Sequence, residues 1–373
     1  MASELYLGAM SGTSLDGLDI VLCDFNSKDN ILLASHFSPF PKELKSTLYD
    51  LSHDETVAIN HLYETEQRYS EFCASVVNQF IEQHAIQKLS IKALGLHGQT
   101  IRHEPKIPNR FTVQIGDWSK VAALTDITTI GDFRRKDLAL GGEGAPLVPP
   151  FHQAIFQHPE NARIVMNIGG ISNITALTPE QQPLGYDTGP GNALLDFWYS
   201  KHQSGHYDNQ GQWARQGRII PEILNKLLNE PYFKQAAPKS TGRELFNPEW
   251  LTQKLSANSS DSSFEIAPVD LQATLTELTA ITTTNEIKQQ LTAGEVFICG
   301  GGWKNSYLIE RIETLLGSSY QVSSTETLGI HPDWVEACAF AWLASNTLNR
   351  RDSHQSSTTG ASRDAILGGI YYA

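Results

Sequence analysis

The stretch LYLGAMSGTSLDGLDIVLCDF, Leu5–Phe25, reads as strand, tight turn, strand. Leu5–Leu7 leads in, Leu18–Phe25 leads out, and between them lie Gly8-Ala9-Met10-Ser11-Gly12-Thr13-Ser14-Leu15-Asp16-Gly17. Small residues there let backbone N–H groups and the hydroxyls of Ser11, Thr13 and Ser14 approach phosphate oxygens. A carboxylate directly behind, Asp16, suits a hydrated magnesium ion, which keeps several of its own waters. The turn contains no Gly-Lys-Ser/Thr and is followed by a strand, so it is not a P-loop. What remains is a phosphate-cradling β-hairpin.

The same pattern recurs at Ala162–Leu177, ARIVMNIGGISNITAL. Ile164, Val165, Met166 and Ile168 precede Gly169-Gly170, and Ile171, Ile174 and Leu177 follow. Either segment alone fits an ordinary hairpin, whose turn commonly carries Gly and Asn. Two of them, each opening its own half of the chain, predict duplicated α/β domains facing each other across a cleft.

The bulk properties agree. A chain of 373 residues is long enough for two domains. With 40% hydrophobic and 18% charged residues it is an ordinary globular composition. The formal net charge of −13 argues against nucleic acid and anionic membrane as general partners, while a local site can still take a small anion. Cys23, Cys73, Cys299 and Cys338 are scattered in apolar runs without a C-x-x-C pair, which predicts buried free thiols in a reducing cytosol. No apolar run approaches the roughly 20 residues of a membrane span, and the N-terminus lacks a basic-plus-apolar signal, so the expected location is cytoplasmic.

Between the hairpins, Tyr69, Phe72, Cys73, Val76 and Phe80 recur at helical spacing within Glu55–Ile86. Lys92–Leu96 reads as a buried strand entering His97-Gly98-Gln99-Thr100, and Glu336–Leu348 as a buried helix. Arg351–Asp364, rich in Ser, Thr and Gly, reads as a loop.

Four further constellations can carry chemistry. Asp187-Thr188-Gly189-Pro190-Gly191-Asn192 before the helix Ala193–Tyr199 sets a carboxylate beside backbone N–H groups, one feature to take a proton and the other to hold phosphate. A helix cap by Asn192 explains the same residues equally well. Val296–Cys299 followed by Gly300-Gly301-Gly302 is a buried strand ending in a glycine turn, the kind of place that receives a nucleotide. Arg134-Arg135-Lys136 precede Gly141-Gly142-Glu143-Gly144-Ala145-Pro146, a basic cluster and a glycine loop bearing one carboxylate. His97 at a strand end either lines a site or is a satisfied core histidine.

Taken in order, these motifs resemble the anhydro-N-acetylmuramic acid kinases. The resemblance rests on Gly8–Asp19, Leu96–Thr100, Gly116-Asp117, Asp132-Phe133-Arg134, Gly141–Pro149, Asn167–Asn173, Asp187–Asn192, Cys299–Gly302 and Asp333-x-x-Glu336-Ala337-x-Ala339-Phe340-Ala341, nearly the whole chain. It implies a two-domain, actin-like sugar kinase fold, a duplicated ribonuclease-H-like α/β architecture with its active site in the interdomain cleft. It further implies ATP-dependent conversion of 1,6-anhydro-N-acetylmuramic acid to N-acetylmuramic acid 6-phosphate in peptidoglycan recycling, with Mg²⁺, and it admits a homodimer.

Matching residue by residue, the resemblance makes Asp187 the base. It assigns Ser11, Gly12, Thr13, Ser14, Asp16, Gly17, Gly169, Gly170, Asn173, Gly189, Gly191, Asn192, Gly300, Gly301 and Gly302 to the nucleotide. Thr13, His97, Arg134, Glu143 and Asp187 are assigned to the sugar, with Arg134 on its lactyl carboxylate and Asp16 on the metal through water. Residues 1–130 with about 350–373 are expected to form the first domain and 131–349 the second, closing on each other when ligands bind. A hexose or amino-sugar kinase of the same fold, or a non-sugar ATPase of the actin and Hsp70 class, are the alternatives. The chain ends at Tyr371-Tyr372-Ala373 without a long Hsp70-like extension, which weighs against the last.

Overall fold

The computed structural model describes residues 4–27, 30–242, 244–256, 266–353 and 356–373. The chain forms two compact units, Met1–Ala154 with Trp334–Ala373, and Ile155–Asp333.

In the first unit the opening stretch is indeed a hairpin, β1 (Leu5–Met10) against β2 (Gly17–Asp24). Its turn closes with the Leu15 N–H on Gly12 O at 3.2 Å. Leu15 sits at φ 58°, a left-handed conformation that costs a leucine about 1–2 kcal/mol. Its side chain is almost wholly buried, and burying a leucine contributes about 1.5–3 kcal/mol, enough to offset that strain. Leu15 thus pins the turn from beneath while Thr13 and Ser14 stay exposed.

β3 (Leu32–Pro39) extends the hairpin on one side, and β4 (Ile91–Leu96) joins β1 in parallel on the other. β5 (Gln99–Glu104) and β6 (Phe111–Ile115) make a separate two-stranded ribbon. β7 (Thr129–Gly131) lies parallel to β4, and the last strand, Gly369–Tyr371, closes the sheet antiparallel to β7.

The helix Val335–Leu348 packs directly on β1 and β4. Its backbone comes so close that a Cβ at Gly8 would lie 2.0 Å from Ala337 O, and one at Gly95 2.0 Å from Phe340 O. Ala341 and Ala344 complete the contact, so small residues on both surfaces set the spacing. The amphipathic helix Ile59–Gln83 buries Tyr69, Cys73, Val76 and Phe80 as its periodicity predicts, with Phe72 only half-buried and Val77 added to the core.

The second unit repeats the plan. β8 (Arg163–Ile168), β9 (Ile171–Leu177) and β10 (Leu184–Pro190) are successively antiparallel, and β11 (Gly294–Cys299) and β12 (Tyr320–Ser324) add in parallel beside β8. The order β10-β9-β8-β11-β12 mirrors β3-β2-β1-β4-β7. This is the duplicated α/β architecture expected from the paired hairpins. The central strands β8 and β11 read as continuous apolar runs, as strands covered on both faces do.

Three expectations differ from the structure. The division expected near residue 130 falls on β7, which is paired inside the first unit. The Val335–Leu348 helix, expected in the second domain, belongs to the first, because its partner strands are remote in sequence. The expected loop Arg351–Asp364 contains a helical turn, Ser356–Thr359; its residues 354 and 355 lie outside the described residues. All four cysteines are free and buried, as expected. Among the described residues no helix is long and apolar enough to cross a membrane.

The glycine contacts predict that Gly95→Ala destabilises the first unit by about 1–3 kcal/mol, the usual cost of overpacking against backbone. Gly301→Ala, whose Cβ meets nothing within 4 Å, should change stability by less than about 0.5 kcal/mol. Thermal unfolding of the two variants beside the parent checks both, and equal melting temperatures would contradict the packing account.

Candidate active site

In the first unit the hairpin turn presents Thr13, Ser14 and Asp16 to solvent, with Gly12 half-buried and Gly17 buried. Ser11 corrects the expectation. Its side chain is 2% exposed, and Oγ lies 2.9 Å from the Tyr69 hydroxyl and donates at 3.4 Å to Gly98 O. Ser11 directly follows β1, whose residues from Tyr6 to Met10 are all buried, and its hydroxyl stays in that core. Gln99 Nε2 donates to Gly12 O at 3.2 Å, tying the turn to the start of β5.

Asp16 pairs with Lys45 at 3.3 Å, and both side chains are largely exposed. Among the described residues no group of three or more His, Cys, Asp or Glu could hold a metal. An exposed single carboxylate fits a magnesium ion held chiefly by its waters and by phosphate oxygens, not one caged by protein.

At the end of β4, His97 is 3% exposed. The Arg134 Nε–H donates to its Nε2 at 3.0 Å, and a guanidinium can only donate, so the neutral ring carries its proton on Nδ1. Burial first, and the Arg134 charge second, hold the His97 pKa well below the ordinary value. The Arg134 Nη1 donates to Gly144 O at 2.7 Å. Burial lowers the arginine to about 10 against the support of Glu336 and Asp137, so it stays charged at neutral pH. The carboxyl of Glu336 is itself raised by burial and lowered by Arg134.

Glu143 stands on a loop fastened from within. Asp137 is fully buried and accepts from Gly144 N–H at 2.5 Å and Thr359 Oγ1 at 2.6 Å. The Glu143 N–H donates to Thr359 O at 2.9 Å. A Cβ at Gly142 would meet Asp137 Oδ2 at 2.3 Å, so the glycine loop exists to wrap this carboxylate. The cluster sets a cation against a neutral imidazole and against the backbone of the loop that carries Glu143.

In the second unit, Asp187 on β10 stands opposite Asn173 on β9, which stands opposite Asn167 on β8. Opposed residues share a face, so the three form a polar row across the sheet. Asp187 Oδ2 accepts the Thr241 N–H at 3.0 Å and the Ser240 hydroxyl at 3.3 Å. Its backbone N–H donates to Lys239 O at 3.0 Å, and its carbonyl accepts the Tyr232 hydroxyl at 2.7 Å. After it the register shifts, and Gly189 takes φ 142° under the Phe233 ring.

The N–H groups expected to meet phosphate are engaged here. Gly191 N–H donates to Gly170 O at 3.0 Å, Asn192 N–H to Gly169 O at 2.8 Å, and Ala193 N–H to Gly170 O at 3.1 Å. The positive end of helix Asn192–His202 thus sits on the carbonyls of the second hairpin turn. Asn192 Nδ2 donates to Ile168 O at 3.2 Å; it does not cap the helix.

The triple glycine is likewise used for packing. A Cβ at Gly300 would lie 2.3 Å from Asn167 Oδ1, and one at Gly302 2.3 Å from Ile168 Cγ2. Gly301 alone is exposed and faces open space.

The family description "Anhydro-N-acetylmuramic acid kinase" matches residues 4–373. A protein of that name from Actinobacillus pleuropneumoniae serotype 7 is 46% identical over 373 residues, covering 100% of both chains. One from Pasteurella multocida is 45% identical over 372 residues, 99% of this chain and 97% of the other. This chain belongs to the anhydro-N-acetylmuramic acid kinase family. Among solved structures, a ROK family glucokinase from Streptomyces griseus in complex with glucose and AMPPNP aligns at TM-score 0.39 and 9% identity, over 91% of this chain and 98% of that one.

Several residues around these family motifs escaped the sequence reading. Gln99 and Glu336 lay within motifs but carried no role. Asp137, Lys239, Ser240 and Thr241 carried no signal beyond the glycines beside them, because their importance is a matter of which carboxylate or turn they reach.

Burial also makes the first unit pH-sensitive. Burial lowers His97 well below its ordinary value, His103 to about 4 and His152 to about 3. With folded values below the unfolded one, the unfolded chain binds more protons as pH falls through about 6.5. Stability present above that pH is then lost on acidification, by up to about 1.4 kcal/mol per pH unit for each histidine. Denaturant unfolding between pH 7.5 and 5 should show this loss, and a flat profile would contradict it.

Proposed function

We propose that this kinase transfers the γ-phosphoryl group of ATP to O6 of 1,6-anhydro-N-acetylmuramic acid while water opens the anhydro ring, giving N-acetylmuramic acid 6-phosphate and ADP. The family match over residues 4–373 carries this reading. The four buried free thiols fit a reducing cytosol as its setting.

The substrate's O6 is locked in the 1,6-bridge, so no free hydroxyl exists to phosphorylate. Water must bond to C1 and surrender a proton; the C1–O6 bond breaks, O6 takes its electron pair to the γ-phosphorus, and ADP leaves. Asp187 takes that proton. Its Oδ2 is held by Ser240 and Thr241, so the carboxylate is oriented before substrate arrives. The charged guanidinium of Arg134 suits the lactyl carboxylate, with His97 fixing its angle and Glu143 and Thr13 meeting sugar hydroxyls. The Gly12–Gly17 turn receives phosphate through Gly12, Thr13, Ser14 and the backbone of Ser11, and in the second unit Gly169, Gly170, Asn173 and Gly301 serve the nucleotide. Magnesium bound through water at Asp16 would neutralise phosphate charge.

Asp187→Asn keeps the shape and loses the base, so kcat should fall roughly 10²–10⁴-fold, measured as ADP release dependent on the anhydro sugar. Turnover within a few-fold of the parent would reject Asp187 as the base. Arg134→Ala should raise KM for the acidic sugar about 10–100-fold, the range of a lost charge-assisted hydrogen bond, with KM for ATP little changed. Mass analysis of the product should give a 6-phosphate with a free anomeric centre.

A further inference from the structure

β10 is the edge strand of its sheet, and its two faces serve different purposes. Tyr186 and Thr188 turn toward the buried helix Pro268–Gln290, which meets β10 with a polar stripe. Thr279 Oγ1 donates to Pro190 O at 3.0 Å, and Thr283 Oγ1 lies 3.2 Å from Thr188 Oγ1. Tyr186 OH donates to Glu286 Oε2 at 3.1 Å, and Gln290 Nε2 donates to Tyr186 OH at 2.9 Å. Spacings of four, three and four put these helix residues on one face. Asp187 alternates to the other side of the strand.

One group on that stripe reaches around the edge. Glu286 Oε1 pairs with Lys239 Nζ at 2.6 Å, with side chains only 6% and 2% exposed. The same lysine approaches the carbonyls of Tyr232 and Phe233 at 3.5 Å. Its own backbone is the edge partner of Asp187, and the next two residues bind the Asp187 carboxylate.

A buried ion pair is weak evidence for stability, since a well-packed apolar pair of similar volume is often as stable or more so. Stability therefore does not account for a lysine and a glutamate here. What the pair adds is a single register: the lysine must end on Glu286, and that fixes where residues 239–241 lie along β10. We infer that Lys239 and Glu286 are positioning residues for Asp187, holding the 239–241 segment so that Ser240 and Thr241 orient the carboxylate. The inference rests on the reading of Asp187 as the base.

Removing one partner alone would strand a buried charge and could unfold the unit. The test therefore uses the double variant Lys239→Met/Glu286→Gln, which removes both charges and keeps the side-chain volumes. Its kcat should fall roughly 10- to 100-fold, as for a base displaced by about an ångström, with KM for the sugar and for ATP within about twofold. Ser240→Ala, which leaves the ion pair intact and removes one donor to Oδ2, should lower kcat by a smaller factor with the same unchanged KM values. Circular dichroism confirms that each variant is folded.

A folded double variant with the parent's kcat would overturn the inference, as would a loss confined to KM. Asp187→Asn separates the two levels. If it retains turnover, the base assignment fails and the inference with it. If it is inactive while the double variant and Ser240→Ala match the parent, positioning alone is refuted.

Discussion

The first unit depends on a close backbone contact: helix Val335–Leu348 rests on Gly8 of β1 and Gly95 of β4, with only the methyls of Ala341 and Ala344 beside it. At a distance where a Cβ would overlap a carbonyl oxygen, only glycine in both strands permits the approach. The same two strands end in the hairpin turn and in His97, so the close packing that covers the sheet also sets the height of both features. The helix carries Glu336 on its first turn and brings that carboxyl within electrostatic reach of Arg134. A structural constraint and a chemical one therefore run through a single element.

The second unit reaches a comparable result by polar means. Its hairpin carbonyls seat the N-terminus of helix Asn192–His202, and its buried helix Pro268–Gln290 reads β10 through threonines, a glutamate and a glutamine. Buried polar groups are costly when unpaired and specific when paired. That explains how an edge strand with a glycine bulge keeps Asp187 in one place.

Much of the fold was legible because its signals are local. Strand–glycine turn–strand at residues 5–25 and 162–177 predicted two like units, and the two sheets share one strand order. The helix at 59–83 followed from its apolar period. The unit boundary was not legible, since whether an apolar helix such as Val335–Leu348 joins one sheet or another depends on glycines more than 200 residues away. The glycine-rich motifs carry a packing role that their sequence did not reveal: at Gly191, Gly300 and Gly302 other backbone or side-chain atoms occupy the space a Cβ would fill. The Ser11 hydroxyl, expected at phosphate, lies in the core against the Tyr69 hydroxyl, a partner remote in the chain.

The sequence by itself determined the family and the duplicated α/β plan, and it singled out Asp187, Arg134, His97 and Glu143 as the candidates for chemistry, because residue type and short-range spacing suffice for these. Only the tertiary structure decided how each is held. Asp137 gathers the glycine loop beneath Glu143, Arg134 sets the tautomer of His97, and Lys239, Ser240 and Thr241 reach Asp187 from more than 50 residues along the chain. Such pairings are fixed by three-dimensional proximity and burial, and neither is written in the local order of residues.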